Sequence, residues 1–279
     1  MKLIFLIIAI VVLPLLALFF LFGAIYMILL APGSGRNISK FRGRRFAHRG
    51  LHDGTRVENS MSAFRAAVDA GFGIELDVRL SSDGVLVVHH DDELGRVVRG
   101  EGRVDSYTAA ELSEMRLCDS EDTVPTLAEV LELVDGRVPL LVEIKEDADV
   151  RAVSDATAKM LADYKGDFIV ESFNPLSVAN ARKKLPGVAC GFLSTNFAKD
   201  PKYNKFLYRL LGGLLTNRLC SPDFIAYDSK FPRRLCLRVA RMLGATTVAW
   251  TVRSKEEEER MVALGFNAII FEGYIPETK

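Results

Sequence analysis

Hydrophobic residues are distributed in two regimes along the chain. From Leu3 to Ala31 the run is almost unbroken Leu, Ile, Val and Phe, with no charged side chain. A bilayer core takes about 20 apolar residues, so this run is long enough to span with room for tilt. Pro14 lies inside it, which membrane helices tolerate. A cleaved signal peptide would carry an apolar core of only about 7–15 residues ending in a small-x-small site. The pattern therefore predicts one retained transmembrane helix over 3–31.

Beyond residue 44 the apolar runs are short and alternate in period. A strand ends at His48-Arg49-Gly50. Helical spacing follows over 60–70, where Met61, Phe64, Ala67 and Val68 form a stripe and Gly71 stops it. In the strand 73–80, Glu75, Asp77 and Arg79 share one face, and Ile74, Leu76, Val78 and Leu80 take the other. Asp83-Gly84 signals a two-residue hairpin turn and a returning arm over 85–91. That turn would set Asp77 directly opposite His90, with His89 on the packed face. Residues 92–123 are charged and weakly periodic, with one short helix near 109–116.

Regular alternation resumes at Thr126. Helix 126–134, strand 137–145, helix 149–164, strand 167–173, helix 175–185 and strand 188–195 come first. An insertion spans 196–222. Strand 224–230, helix 232–243, strand 246–252, helix 254–264 and strand 267–272 complete the chain. Without the hairpin arm, eight strands remain for a parallel sheet. The fold class expected is α/β, a (β/α)8 barrel with a β-hairpin departure after the second strand, preceded by one transmembrane helix. An open doubly wound sheet would call for a Gly-rich phosphate loop after the first strand, and Gly50-Leu51-His52-Asp53-Gly54 is not one. The domain reading is an anchor over 1–35, a basic juxtamembrane linker over 36–43 and the barrel over 44–279.

Charge refines this picture. The 36 Lys and Arg balance 36 Asp and Glu, and no long basic run occurs in the body, which argues against nucleic acid. Lys2 stands alone before the apolar run, whereas Arg36, Lys40, Arg42, Arg44 and Arg45 follow it. Positive flanks stay inside, so the expectation is a single-pass cell-membrane protein with a cytoplasmic body. The four cysteines are scattered without a Cys-x-x-Cys pair, indicating neither a disulfide framework nor a zinc site.

The candidate chemistry lies at the strand ends, which share one rim in a barrel. Glu75 and Asp77 sit among apolar neighbours, and buried carboxylates need a cation. With Glu143 they offer three oxygen donors and no thiolate, which suits one divalent cation, Mg²⁺ or Ca²⁺. Arg49 at a strand end suits a phosphate or a carboxylate, through paired hydrogen bonds. Lys145, two residues after Glu143, adds positive charge on the same face. His48 and His90 are the histidines placed for proton transfer, whereas His52 reads as a surface residue. Trp250, the only tryptophan, ends a strand either as core or as a pocket wall.

Taken in order, Ala47-His48-Arg49-Gly50, Glu58-Asn59, Glu75-x-Asp77, Asp83-Gly84, His90-Asp91, Glu143-x-Lys145, Ser172-Phe173 and Trp250-Thr251-Val252 resemble the glycerophosphodiester phosphodiesterase family. The match runs from about residue 44 to the C-terminus. It implies a barrel that hydrolyses a phosphodiester to sn-glycerol 3-phosphate and an alcohol. It further implies that His48 and His90 are the acid-base pair, that Glu75, Asp77 and Glu143 hold the metal, and that Arg49 and Lys145 bind phosphate. Glu58 carries over as a support or outer ligand. Two places depart from the family pattern. Val57 stands where proline is usual, and Phe271-Glu272-Gly273 replaces Thr-Asp.

Residues 203–215 have a broad apolar face, Phe206, Leu207, Leu210, Leu211, Leu214 and Leu215, with Lys205, Arg209 and Arg218 nearby. This helix either covers the barrel or lies in a membrane interface at the site's mouth. Two alternatives follow: a lysophospholipase D-type enzyme acting on membrane lysophospholipids, or a non-catalytic phosphodiester-binding membrane protein.

Overall fold

The computed structural model describes residues 8–146, 149–199 and 206–277. A π-helical turn (Ile8–Val12) leads into α1 (Leu13–Leu30), and a 3₁₀ turn (Ile38–Phe41) leads into the sheet. The strands are β1 (Arg45–Ala47), β2 (Gly73–Leu80), β3 (Leu86–Val88), β4 (Leu140–Ile144), β5 (Phe168–Ser172), β6 (Cys190–Ser194), β7 (Phe224–Asp228), β8 (Thr246–Val252) and β9 (Ala268–Phe271). All except β3 run parallel, and β1 pairs with both β9 and β2, so eight strands close into a barrel. β3 pairs antiparallel with β2 as the expected departure.

The helices after α1 are α2 (Met61–Asp69), α3 (Ala109–Ser113), α4 (Leu127–Val134), α5 (Val150–Ala162), α6 (Pro175–Lys184), α7 (Phe206–Gly212), α8 (Asn217–Cys220), α9 (Leu235–Met242) and α10 (Lys255–Ala263). Their starts are written in the sequence. The Ser60 side chain caps α2, Thr108 and Thr126 form capping boxes on α3 and α4, and Asn174 caps α6 ahead of Pro175.

Strand parity divides the barrel into two chemistries. The register places Glu75, Asp77, Glu143 and Glu171 on the inward side, because Asp77 pairs with Glu143 and Glu143 with Glu171. Phe46, Leu141, Ile169, Phe224, Ala226, Val248 and Ile270 form the apolar interior cluster with Ile38 and Phe41. Its centre is filled by Phe224, opposite Gly191, where a Cβ would come within 2.2 Å of the ring. Ile38 and Phe41 are nearly fully buried, so this part of residues 36–43 packs into the barrel floor. The alternate residues, including Ile74, Leu76, Val78, Val142 and Ile144, pack beneath the helices. A separate small core of Val87, Leu94, Val97, Val98, Val104, Leu112, Leu117 and Val124 stabilises the insertion after β3.

α1 is long and apolar enough to cross a membrane. Its last turn joins the barrel: Leu30 is buried, and its carbonyl accepts from Asn217 Nδ2 at 3.1 Å. Residues 3–7 of the expected span, and residues 203–205 of the expected insertion helix, lie outside the described residues. Among the described residues the helix expected over 203–215 runs only from Phe206 to Gly212, and a separate helix, Asn217–Cys220, follows after a turn.

The hairpin differs from expectation in register. Val78 pairs with Val88 and Leu80 with Leu86, and His89 N donates to Asp77 O at 3.0 Å. Thus His89, not His90, lies directly opposite Asp77. The connection uses Ser81 to Val85, with the Ser81 hydroxyl bonded to Asp83 Oδ1 and to the backbone of Val85. This turn is longer than the Asp-Gly signal implies, and a one-residue slip reverses side-chain parity. His90 nonetheless reaches the site, because β3 ends at Val88 and the chain bends at His90.

Candidate active site

The site is built where β1 ends. Gly50 N bonds to Ala47 O at 3.2 Å, and Arg49 and Gly50 both adopt positive φ, 55° and 80°. Gly50 also packs so closely on α2 that a Cβ would lie 2.9 Å from Ala63 Cβ. Only glycine suits both demands. The turn aims the Arg49 backbone N–H at Glu75 Oε2, 2.8 Å away, while its guanidinium bonds Glu58 Oε1 at 2.7 Å. Arg49 Nε lies 3.5 Å from Asp77 Oδ2.

Glu75, Asp77 and Glu143 each place one oxygen within 4.8 Å of the others, and all three are buried. Lys145 Nζ bonds Glu143 Oε1 at 2.7 Å and lies 3.1 Å from Asp77 Oδ1. Asn59 Nδ2 donates to Asp77 Oδ2 at 2.7 Å. Glu171 joins as a fourth buried acid, and its Oε2 lacks any hydrogen bond. Four carboxylates thus face Arg49 and Lys145, an imbalance of two negative charges when all are ionised. An unsatisfied acceptor in such a setting fits a divalent cation held by oxygen.

The electrostatics divide the acids. Burial, reinforced by Asp77 and Glu143, pushes Glu75 well above the usual carboxylate range. Burial acts likewise on Glu171, with Glu143 and Asp77 adding to it, and on Glu143 despite Lys145. Burial also opposes ionisation of Asp77, but Lys145 and Arg49 outweigh it and hold that carboxyl well below its usual range. For Lys145 the burial penalty is overcome by Asp77 and Glu143, so its ammonium is favoured.

The imidazoles share one arrangement. His48 Nδ1 lies 2.8 Å from Glu272 Oε2, and His90 Nδ1 lies 2.8 Å from Asp91 Oδ1. A carboxylate only accepts, so each Nδ1 donates and each Nε2 is left as acceptor in the neutral ring. Burial lowers both pKa values, with His90 pulled down to about 4. The hydrogen bond from His48 holds Glu272 down to about 2. Arg96 ties Asp91 to Glu58, bonding Asp91 Oδ2 at 2.6 Å and both Glu58 oxygens. Glu58 is held to about 2 by Arg96 and Arg49 against its burial, and it stands outside the three-carboxylate group.

A cavity of about 50 Å³ lies between these groups, lined by His48, Arg49, Glu75, His90, Glu143 and Glu171. Its apolar side is Phe173, Leu193, Trp250 and Ile270, with Trp250 packed edge-on against Phe173 at 5.5 Å. His52 is half-buried rather than a free surface residue, and its ring comes within 4.8 Å of ligand atoms of His48 and Glu272. His89 is buried, and its Nε2 finds no hydrogen bond.

Of the site residues expected from the sequence, His48, Arg49, Glu75, His90, Glu143 and Trp250 line this cavity, and Asp77, Lys145 and Glu58 contact residues that do. Sequence reasoning missed Glu171, Glu272, Asp91, Asn59 and Arg96 as members of the site. Glu171 had a readable signal, since it holds on its strand the place that Glu143 holds on the preceding one. Asn59 and Asp91 stood beside residues already chosen. Arg96 lies in a weakly patterned insertion and carried none.

A closed (β/α)8 barrel with histidines, an arginine and clustered acids at the carboxyl ends of its strands defines a rim-site enzyme for an anionic substrate. Residues 48–273 match the glycerophosphoryl diester phosphodiesterase family. A glycerophosphodiester phosphodiesterase of Caldanaerobacter subterraneus subsp. tengcongensis is 31% identical over 247 residues, covering 83% of this chain and 94% of that protein. Glycerophosphodiester phosphodiesterase 1 of Homo sapiens is 26% identical over 243 residues, covering 76% and 72%. The structure of an Oleispira antarctica phosphodiesterase in complex with the product sn-glycerol-3-phosphate superposes with a TM-score of 0.72 at 23% identity, covering 84% of this chain and 95% of that one, a likeness of fold. The chain belongs to the glycerophosphodiester phosphodiesterase family.

Proposed function

We propose that this enzyme hydrolyses glycerophosphodiesters to sn-glycerol 3-phosphate and an alcohol, using His48 and His90 as its acid-base pair and one divalent cation on Glu75, Asp77 and Glu143. The observation that carries this reading is the pair of imidazoles, each tied through Nδ1 to a carboxylate and both lining the cavity that holds the acidic cluster. A carboxylate on Nδ1 fixes the tautomer and favours the imidazolium once it forms.

Glu75, Asp77 and Glu143 would hold the cation, Mg²⁺ or Ca²⁺ by their oxygen donors, and it would supply Lewis-acid charge there. Arg49 and Lys145 add fixed positive charge where the phosphodiester gathers negative charge in the transition state. One imidazole takes the proton of the attacking oxygen at Nε2, and the other returns a proton to the leaving alcohol. Trp250, Phe173, Leu193 and Ile270 exclude water on the side where the glycerol carbons fit. We assign α1 to a single membrane span, with the barrel on the cytoplasmic side because the basic flank follows it.

The test is phosphate-ester release from glycerophosphocholine by wild type, His48→Ala and His90→Ala, each checked for folding by circular dichroism. General acid-base groups contribute roughly 10²–10⁴-fold. Losses of that order in both folded variants are expected, and near-normal turnover in either would refute the assignment.

A further inference from the structure

A second pocket opens beside the catalytic cavity. It measures about 520 Å³, and its walls include Leu51, His52, Asp53, Glu272 and Tyr274 but not His48, Arg49 or His90. The strands that carry it are neighbours: Ala47 pairs with Phe271, and His48 N bonds Phe271 O at 2.9 Å. The segments leaving β1 and β9 therefore run side by side, and His52 meets Glu272. Glu272 stands between the two spaces, because it lines this pocket and also bonds His48 Nδ1 at 2.8 Å.

Three donors converge there. One ligand atom each from His48, His52 and Glu272 lies within 4.8 Å of the other two, and all three residues are half-buried. Among the described residues the His52 ring makes no hydrogen bond, and Glu272 bonds only through Oε2, which leaves Oε1 free. A four-coordinate Zn²⁺ holds nitrogen at about 2.0–2.1 Å, which sets neighbouring donors about 3.3 Å apart. Rotation of His52 on its loop closes the remaining gap. Two imidazoles and a carboxylate differ in kind from Glu75, Asp77 and Glu143. Nitrogen donors suit Zn²⁺ and its transition-metal neighbours, whereas an all-oxygen set suits Mg²⁺ or Ca²⁺. Arg253 shares Glu272 Oε2 at 3.1 Å, but its side chain is 53% exposed and swings into solvent as an ion enters.

We propose that His48, His52 and Glu272 form an inhibitory site for a borderline-soft divalent ion such as Zn²⁺, distinct from the carboxylate cluster and entered from the second pocket. The inhibition rests on the acid-base reading of His48, whereas the binding site does not. The ion takes the lone pair of His48 Nδ1, so the proton there moves to Nε2. Nε2 then donates where catalysis needs it to accept, and the metallated ring has no lone pair left to take up a proton. His48 is silenced with nothing entering the substrate cavity. Turnover therefore falls while KM holds.

The experiment titrates zinc chloride into the full chain in detergent micelles, hydrolysing glycerophosphocholine at saturating Mg²⁺, for wild type and His52→Ala. His52 does not line the catalytic cavity, so the variant should keep its Mg²⁺-supported turnover within twofold. Wild type should lose kcat tenfold or more at constant KM, and His52→Ala should need at least tenfold more Zn²⁺ for the same loss. Co²⁺ added to the Mg²⁺-saturated protein gives a readout besides activity. Four-coordinate, nitrogen-ligated Co²⁺ absorbs strongly in the visible, and the band should form in wild type and fail in His52→Ala. Equal Zn²⁺ sensitivity of the two proteins overturns the proposal, as does a wild type that Zn²⁺ does not inhibit. Failure of wild type to hydrolyse the diester with Mg²⁺ alone overturns the phosphodiesterase reading instead, and the Co²⁺ band then decides the site by itself: its absence from wild type, or its persistence in His52→Ala, refutes it.

Discussion

Replacing Glu272 tests whether His48 is held for proton transfer. Glu272 Oε2 is shared, 2.8 Å from His48 Nδ1 and 3.1 Å from Arg253. A hydrogen bond to a charged group is worth about 1.5–3 kcal/mol, and charged bonds are roughly twice as strong as neutral ones. In Glu272→Gln the side chain still accepts a hydrogen bond but lacks the charge, which costs about 1–1.5 kcal/mol. Because about 1.4 kcal/mol is tenfold in rate, kcat should fall roughly tenfold. Glu272→Ala removes the partner altogether and should cost up to about a hundredfold. KM should change little, since Glu272 does not line the cavity. The pH profile supplies a sign. Burial lowers the His48 pKa and Glu272 partly restores it, so neutralising Glu272 lowers it further. The limb of the kcat/KM profile that reports His48 then moves to lower pH. The assay is head-group alcohol release from glycerophosphocholine at saturating divalent cation, between pH 5 and 9. Unchanged kcat and an unmoved limb in Glu272→Gln would refute the orienting role.

Lys145→Met leaves the acids without their buried ammonium, and breaking a buried ion pair costs about 3–5 kcal/mol. Metal-free thermal melts should show that loss, and added Mg²⁺ or Ca²⁺ should raise Tm more in the variant than in wild type; a variant that melts with wild type contradicts this. Glu171→Gln should behave oppositely. The folded pKa of Glu171 lies well above its unfolded value of about 4.3, so its contribution to stability is full below that value and is lost as pH rises towards the folded pKa. Metal-free Glu171→Gln should therefore outlast wild type in urea at pH 8, with the gap closing towards pH 4. A variant weaker than wild type at pH 8 overturns the argument.

The barrel was legible because its strands and helices were marked by period, and α2, α4, α6 and α10 also by a capping Ser, Thr or Asn. Parity alone put Glu75 and Asp77 on one face, Glu143 was placed by its strand end, and the closed sheet pairs it with Asp77 on the inward side. What sequence could not carry was the length of a turn. Asp83-Gly84 sits in the hairpin as expected, but Ser81 recruits Val85 into the loop and shifts the register by one. The proximity of His90 to the cavity therefore comes from the bend after Val88, not from cross-strand pairing. Glu272 was noticed only as a departure from a pattern, because its partner lies 224 positions away. Residues 36–43 looked like a basic linker by composition, yet Ile38 and Phe41, at helical spacing among the charges, are the apolar residues that close the barrel floor.

The most direct test of the two-imidazole, one-cation site is a metal titration of EDTA-stripped protein, followed by calorimetry and by glycerophosphocholine hydrolysis, for wild type, His48→Ala and Asp77→Asn. The site as built predicts that wild type binds one divalent cation and recovers activity, that His48→Ala binds the cation without recovering activity, and that Asp77→Asn loses both. Full activity in stripped wild type, or recovered turnover in His48→Ala, would contradict it.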